Sequence, residues 1–196
     1  MPARKTPPEA WIDAALTALA EGGPDAIRVE ALAATLGVTK GGFYGEFVDR
    51  NALVERMLDT WEQTVVDDVI RRIENSEDDA GTKLRHLFDL ARRHADRGLA
   101  AELAVRDWAR RNSGVGTRLN RVDNRRMAYL RKLFRQIGCD DDDAEARSFQ
   151  AFSLFVGSSL ITAEHNGRSR RDVISYALDS LLTTTDRRPA RGRHTR

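Results

Sequence analysis

Apolar residues recur along this chain at the spacing of an α-helix, and strand-like alternation is scarce. Trp11, Ala15 and Ala18 follow i, i+4, i+7, with Ile12, Leu16 and Leu19 beside them, which predicts a first helix with a wide apolar face. Glu21-Gly22-Gly23-Pro24-Asp25 ends it, because glycine accepts left-handed backbone and proline cannot continue a helix. Val29, Leu32, Ala33 and Leu36 give two turns of a second helix, closed by Gly37. Thr39 is placed to cap a third, running to about Phe47, and Asp49 to cap a fourth, from Arg50 into the low seventies. The buried stripe of the fourth is Leu53, Val54, Met57, Leu58, Trp61 and Val65. Residues 75–81 are polar and acidic and read as a loop. Leu84, Leu87, Phe88 and Ala91 mark a fifth helix, and Leu99, Leu103 and Trp108 a sixth that stops at Asn112-Ser113-Gly114. Leu119, Val122, Tyr129, Leu130, Leu133, Phe134 and Ile137 lie on a long seventh, ended by Gly138. The acidic run 140–143 precedes an eighth, where the helix dipole favours negative charge, and Phe149, Phe152, Val156 and Leu160 carry it to about His165. Val173, Ile174, Ala177, Leu178, Leu181 and Leu182 form a ninth. The pattern predicts an all-α protein of about nine helices.

Composition agrees with a folded chain: 41% of the 196 residues are apolar, enough to bury a core. The 32% of charged residues requires a heavily charged surface. Cys139 is the single cysteine, so neither an intramolecular disulfide nor a thiolate zinc site is built, and a reducing cytoplasm is expected. Residues 1–9 lack the apolar core of a signal peptide, and the nearly uncharged stretch 148–163 is shorter than the ~20 residues that span a bilayer. No membrane association is expected. The net charge of +2 is unevenly spread: −2 over 1–50, −6 over 51–80, +10 over 81–139, −5 over 140–186 and +5 over 187–196. The basic tail, 185–196, lacks large apolar residues and is expected to be disordered.

Residues 28–53 are more specific. An eight-residue amphipathic helix, a glycine-centred turn Leu36-Gly37-Val38-Thr39 and a second short helix have helix-turn-helix spacing. Ala33 is small where the two helices cross, Val38 plugs the turn, and Phe43 and Phe47 anchor the second helix to the first. Thr39, Lys40, Gly41 and Gly42 occupy the exposed start of that second helix, the end that meets base edges and phosphates in the major groove. Each piece alone also suits an ordinary helical hairpin; the combination of Gly37-Val38-Thr39 with Phe43-Tyr44 and Phe47 carries the reading.

At these residues the sequence resembles the TetR family of transcriptional regulators. The resemblance covers about residues 9–58 and rests on 14–19, Gly22 or Gly23, Leu32-Ala33, 36–44, Phe47 and Leu53. It implies a helix-turn-helix DNA-binding domain over 7–54 and a helical regulatory and dimerisation domain over 55–184. It further implies a homodimer on double-stranded operator DNA, usually a repressor released by a small-molecule effector. The DNA-binding candidates are Arg28, Thr39, Lys40, Gly41, Gly42, Phe43, Tyr44 and Arg50, with Arg4 and Lys5 adding charge. Gly41-Gly42 leave few side chains to read bases, so Lys40 is the candidate for direct readout. The sequence departs from the family at three positions. Arg28 stands where Ser or Thr usually caps the second helix, Glu46 where His is common, and Arg50 where Lys is frequent. Glu46 and the negative charge of 1–50 keep a second reading open, a helical interaction or adaptor protein that has lost specific DNA binding.

Other candidate chemistry is thin. No nucleophile elbow, P-loop or dinucleotide fingerprint is present, so no enzyme and no cofactor are expected. His86 and His94 are eight apart and point ~80° away from each other on one helix. Neither they nor His165 has a ligand set at metal-binding spacing, so no metal is expected. Phe88, Trp108, Phe152 and Phe155 are either plain core or, given the pocket that the resemblance implies among the fifth to eighth helices, lining for an effector. Broad apolar stripes on the eighth and ninth helices, including Phe149, Val156, Ala177 and Leu178 near the small cluster Gly157-Ser158-Ser159, fit either a dimer interface or closure of the chain's own core.

Overall fold

The computed structural model describes residues 6–93 and 98–183, and every regular element among them is a helix. Helix α1, Pro8–Gly22, opens on a proline, whose missing N–H has no helical partner at that position anyway, and ends at Gly23. A 3-10 turn, Pro24–Ala26, leads into α2, Val29–Leu36. Gly37 closes α2 in the left-handed region, at φ 67°, where a side chain is strained. Helix α3, Lys40–Tyr44, is shorter than predicted. Thr39 is its N-cap by position and extended backbone, but its hydroxyl makes no capping bond, which corrects the cap expected there. The chain still delivers Phe47 to the core, because the Phe47 N–H donates to the Phe43 carbonyl at 2.9 Å.

Helix α4 starts at Arg50–Glu62, where the Asp49 carboxylate accepts from the Ala52 N–H at 2.8 Å. It runs on without a break through a π-helical stretch, Gln63–Asp68, into Val69–Glu74. Helix α5 is Ala80–Arg93, α6 Gly98–Ala109, α7 Ser113–Gln136, α8 Asp141–Leu160 and α9 Arg170–Leu182. With α4 counted through its π stretch, the described residues hold nine helices. Helix α8 ends at Leu160 instead of near His165: Ile161 turns to extended backbone, and Asn166 and Gly167, both at positive φ, redirect the chain toward α9.

Two cores hold the molecule. The first joins Trp11, Leu19, Ile27, Leu32, Phe43, Leu53, Met57 and Trp61, and extends to Val66 on α4, Val105 on α6, and Val115 and Val122 on α7. The boundary expected at 54–55 therefore falls inside a continuous helix and inside one core. The second gathers Ile73, Leu84, Phe88, Tyr129, Leu133, Phe134, Ala151 and Leu178 from α4, α5, α7, α8 and α9. Full burial of each large apolar side chain contributes roughly 1.5–3 kcal/mol. A ladder of charges also clamps α4 to α7. Arg118 donates to Glu55, Asp59 and Glu62, Arg121 to Glu62, and Arg125 to Asp67. This ladder accounts for much of the opposed charge of 51–80 and 81–139. Among the described residues no helix is long and apolar enough to cross a membrane.

Candidate nucleic-acid interface and interior cavity

Helix α3 is fixed from beneath by rings. Phe43 meets Trp11 edge-on at 5.4 Å, stacks on Phe47 at 5.5 Å and meets Tyr44 edge-on at 5.2 Å. Phe43 is 0% exposed, so its side chain is no DNA contact; of the two roles expected of it, anchor and DNA contact, burial leaves the anchor. The anchor leaves Thr39, Lys40, Gly41, Gly42 and Tyr44 exposed together, with Arg28 exposed at the head of α2. Tyr44 keeps 56% of its surface open.

The two glycines are informative. A Cβ at Gly41 would come no nearer than 3.7 Å to any neighbour, and one at Gly42 no nearer than 3.9 Å. Alanine fits the chain's own packing at both positions and would favour the helix by ~1 kcal/mol each. The smoothness of this face is not required by the fold.

Charges around α3 are arranged differently from the sequence expectation. Lys40 Nζ donates to Glu30 Oε1, joining α3 to α2. That bond holds the Glu30 carboxyl below its usual range and the Lys40 ammonium above its own. Arg50 is half-buried, and its Nε donates to the Ile27 carbonyl at 2.6 Å and its Nη2 to the Pro24 carbonyl at 2.7 Å. The phosphate grip expected of Arg50 is thereby corrected: its fork straps the start of α4 to the turn between α1 and α2. Arg4 and Lys5 lie outside the described residues.

Behind this face, a cavity of about 180 Å³ opens between the π stretch of α4 and helices α5, α6, α7 and α8. Phe88, Phe152 and Phe155 line it, as three of the four predicted aromatics. Trp108 does not. It follows Glu102 on α6 by six residues, a turn of ~240°, and so packs on the first core while Glu102 faces the cavity. The sequence reading missed the charged part of the wall. Glu102 is only 3% exposed and accepts from both Nη atoms of Arg126 at 2.9 Å and from Arg106 Nε at 2.8 Å. Arg106 reaches Asp123 at 2.9 and 2.7 Å. Burial opposes the charge on Glu102, but the two guanidiniums outweigh it and hold the carboxyl below its usual range. Phe152 and Phe155 stack at 6.2 Å, with Arg126 over both rings and Arg106 over Phe152. The i, i+4 spacing of Glu102 and Arg106 was the available signal.

His86 pairs with Asp78 at 3.2 Å, and among the described residues no group of three or more His, Cys, Asp or Glu side chains is placed to hold a metal ion. His94 and the tail 185–196 lie outside them.

Comparison with known proteins places these features. Residues 12–57 match the family described as bacterial regulatory proteins, tetR family. The chain is similar in structure to a TetR transcriptional regulator from Legionella pneumophila, with a TM-score of 0.76 at 13% identity over 93% of this chain and 100% of that one. It is similar to a transcriptional regulator from Rhodococcus sp. Rha1, with a TM-score of 0.66 at 19% identity over 90% and 94%. It is also similar to the ketosteroid transcriptional regulator of Mycobacterium tuberculosis, with a TM-score of 0.65 at 17% identity over 92% and 95%. At such identities the likeness shows a shared fold. No curated protein matches.

Proposed function

Because residues 12–57 carry the tetR-family domain and the chain has the fold of such regulators, we propose that this protein is a sequence-specific DNA-binding transcriptional regulator. The observation that carries the reading is the smooth, exposed surface of Gly41 and Gly42, flanked by Lys40 and Tyr44 and set on the buried Phe43. A surface the fold does not need smooth admits the DNA backbone closely. Lys40 exchanges Glu30 for a base edge, while Tyr44, Thr39 and Arg28 contact phosphates. Two copies pair through α8 and α9 and present two α3 helices to a palindromic operator. The protein acts in the cytoplasm as a repressor, and a small molecule in the cavity releases it by moving α4 and α6, which touch both the cavity and the first core.

A gel shift with the DNA upstream of the protein's own gene, run across salt concentrations, tests this. Specific binding with a linear log–log salt slope is expected. Binding that ignores sequence, or none, favours instead an interaction or adaptor protein. The Lys40–Glu30 pair and the net −2 of residues 1–50 are the observations on that side.

A further inference from the structure

The wall of the cavity is almost wholly hydrocarbon and ring, with Val69, Leu87, Phe88, Leu99, Phe152 and Phe155 facing it. Among the described residues two ionised side chains reach it, Glu102 and Arg126, and they are bound to each other through both oxygens and both terminal nitrogens. Arg106 takes a further position on Glu102 and both oxygens of Asp123. Two carboxylates and two guanidiniums thus close on themselves with no net charge.

Among the described residues such a wall offers no unpaired counter-ion. A carboxylate ligand brought to Arg126 would compete with Glu102, a residue 3% exposed, for a charge that Glu102 already neutralises, and an ammonium ligand would have to pull Glu102 from its arginines. Either exchange leaves a buried charge short of a partner. The volume of about 180 Å³ is close to the ~150 Å³ of an apolar cavity that takes benzene. The stacked pair Phe152 and Phe155 lines the cavity with aromatic carbon, which suits a further ring. Resting on the reading of this cavity as an effector site, we infer that it takes a small uncharged apolar molecule, of the size of one aromatic ring with a short substituent, and rejects anions and cations of the same shape.

Calorimetric titration of the full chain without DNA, using toluene, benzoate and benzylamine, tests the inference. Toluene should bind once per chain, with benzoate and benzylamine at least ~100-fold weaker. Leu99→Trp, at a partly exposed wall position, should abolish toluene binding while the helical circular dichroism and melting transition persist. Glu102→Gln frees Arg126 and should shift the ratio of benzoate to toluene affinity at least ~10-fold toward benzoate. Failure of toluene to bind, benzoate binding as tightly as toluene, or a folded Leu99→Trp variant with unchanged toluene affinity would each overturn it. A gel shift with and without toluene is read separately. Toluene that binds but leaves the operator complex intact refutes release by effector and leaves the ligand chemistry standing.

Discussion

Arg50 illustrates how far a residue's role depends on direction as well as position. At the head of a helix beside a DNA-binding turn, a cation reads as a phosphate contact, and the sequence pattern supplies place and charge but not where the fork points. The fork points inward, to the carbonyls of Pro24 and Ile27. Ile27 is itself 0% exposed, so removing the donor leaves its carbonyl unpaired in a dry place. Arg50→Ala is therefore expected to lower stability by ~2–4 kcal/mol in a thermal or urea melt, and Arg50→Lys to recover less than half, since an ammonium lacks the planar fork. A loss within ~0.5 kcal/mol would return Arg50 to the surface role first expected of it. Phe43 shows the converse: the sequence pattern offered it both as an anchor and as a DNA contact, and its full burial keeps the first role and removes the second. Lys40 and Tyr44 remain exposed, and their substitutions separate two kinds of contact. Tyr44→Phe should weaken binding to all DNA sequences alike, whereas Lys40→Ala should also relax base preference in a competition gel shift. Equal, sequence-independent losses from both would remove base readout from Lys40.

Helix α4 is the element on which both sites depend. Its first turn is strapped to the α1–α2 turn, its middle packs in the first core, and its π stretch lines the cavity. The start of α4 was legible from Asp49 and its length from the apolar stripe. The π stretch was not, since Gln63–Asp68 contains no glycine or proline and its irregularity belongs to the packing around it. The end of α8 was misread for a related reason: apolar residues continue past Leu160, and the period alone does not reveal that Ile161 leaves the helix. At its far end, α4 is held by charge. Glu74 accepts from Lys132 at 2.8 Å and Lys83 at 3.3 Å. The Lys132 bond, against the opposing effect of burial, brings its carboxyl from near 4.5 down to about 2. Glu62 is lowered as well, chiefly by Arg121. A carboxyl depressed in the folded state stabilises it above the unfolded pKa and loses that contribution as pH falls through the folded value. The melting temperature should therefore decline as pH drops from about 4.5 toward about 2, and Glu74→Gln should make that acid limb shallower. An acid limb identical in Glu74→Gln and wild type would show that α4 is held there by packing alone.

For the whole molecule, the decisive question is what covers the outer face of α8 and α9. The two helices lie antiparallel: Arg147 near the start of α8 donates to the carbonyls of Leu181 and Thr183, and Arg170 at the start of α9 donates to that of Ser158. Apolar pattern alone left Leu178 open to a shared interface or to the chain's own core; it is 5% exposed and sits in the second core. Leu178→Asp is thus expected to unfold the chain and says nothing about assembly. Of the same stripes Phe149 stays open, at 66%, and so do Leu160 at 61% and Tyr176 at 74% on this pair. Their exposure fits a two-fold interface, in which the same patch meets its own copy and one axis sets two α3 helices about 34 Å apart, one turn of DNA, or a multiple of it. On that account the wild-type chain should sediment as a dimer at micromolar concentration. The double variant Phe149→Asp with Tyr176→Asp should sediment as a monomer with unchanged helical circular dichroism, because neither side chain contributes to the cores. It should lose at least ~100-fold in affinity for a palindromic site, as the second half-site ceases to be an intramolecular event, while binding a single half-site as weakly as wild type does. A wild-type monomer at that concentration, or a double variant that still sediments as a dimer, would remove the α8–α9 interface and with it the two-half-site mechanism.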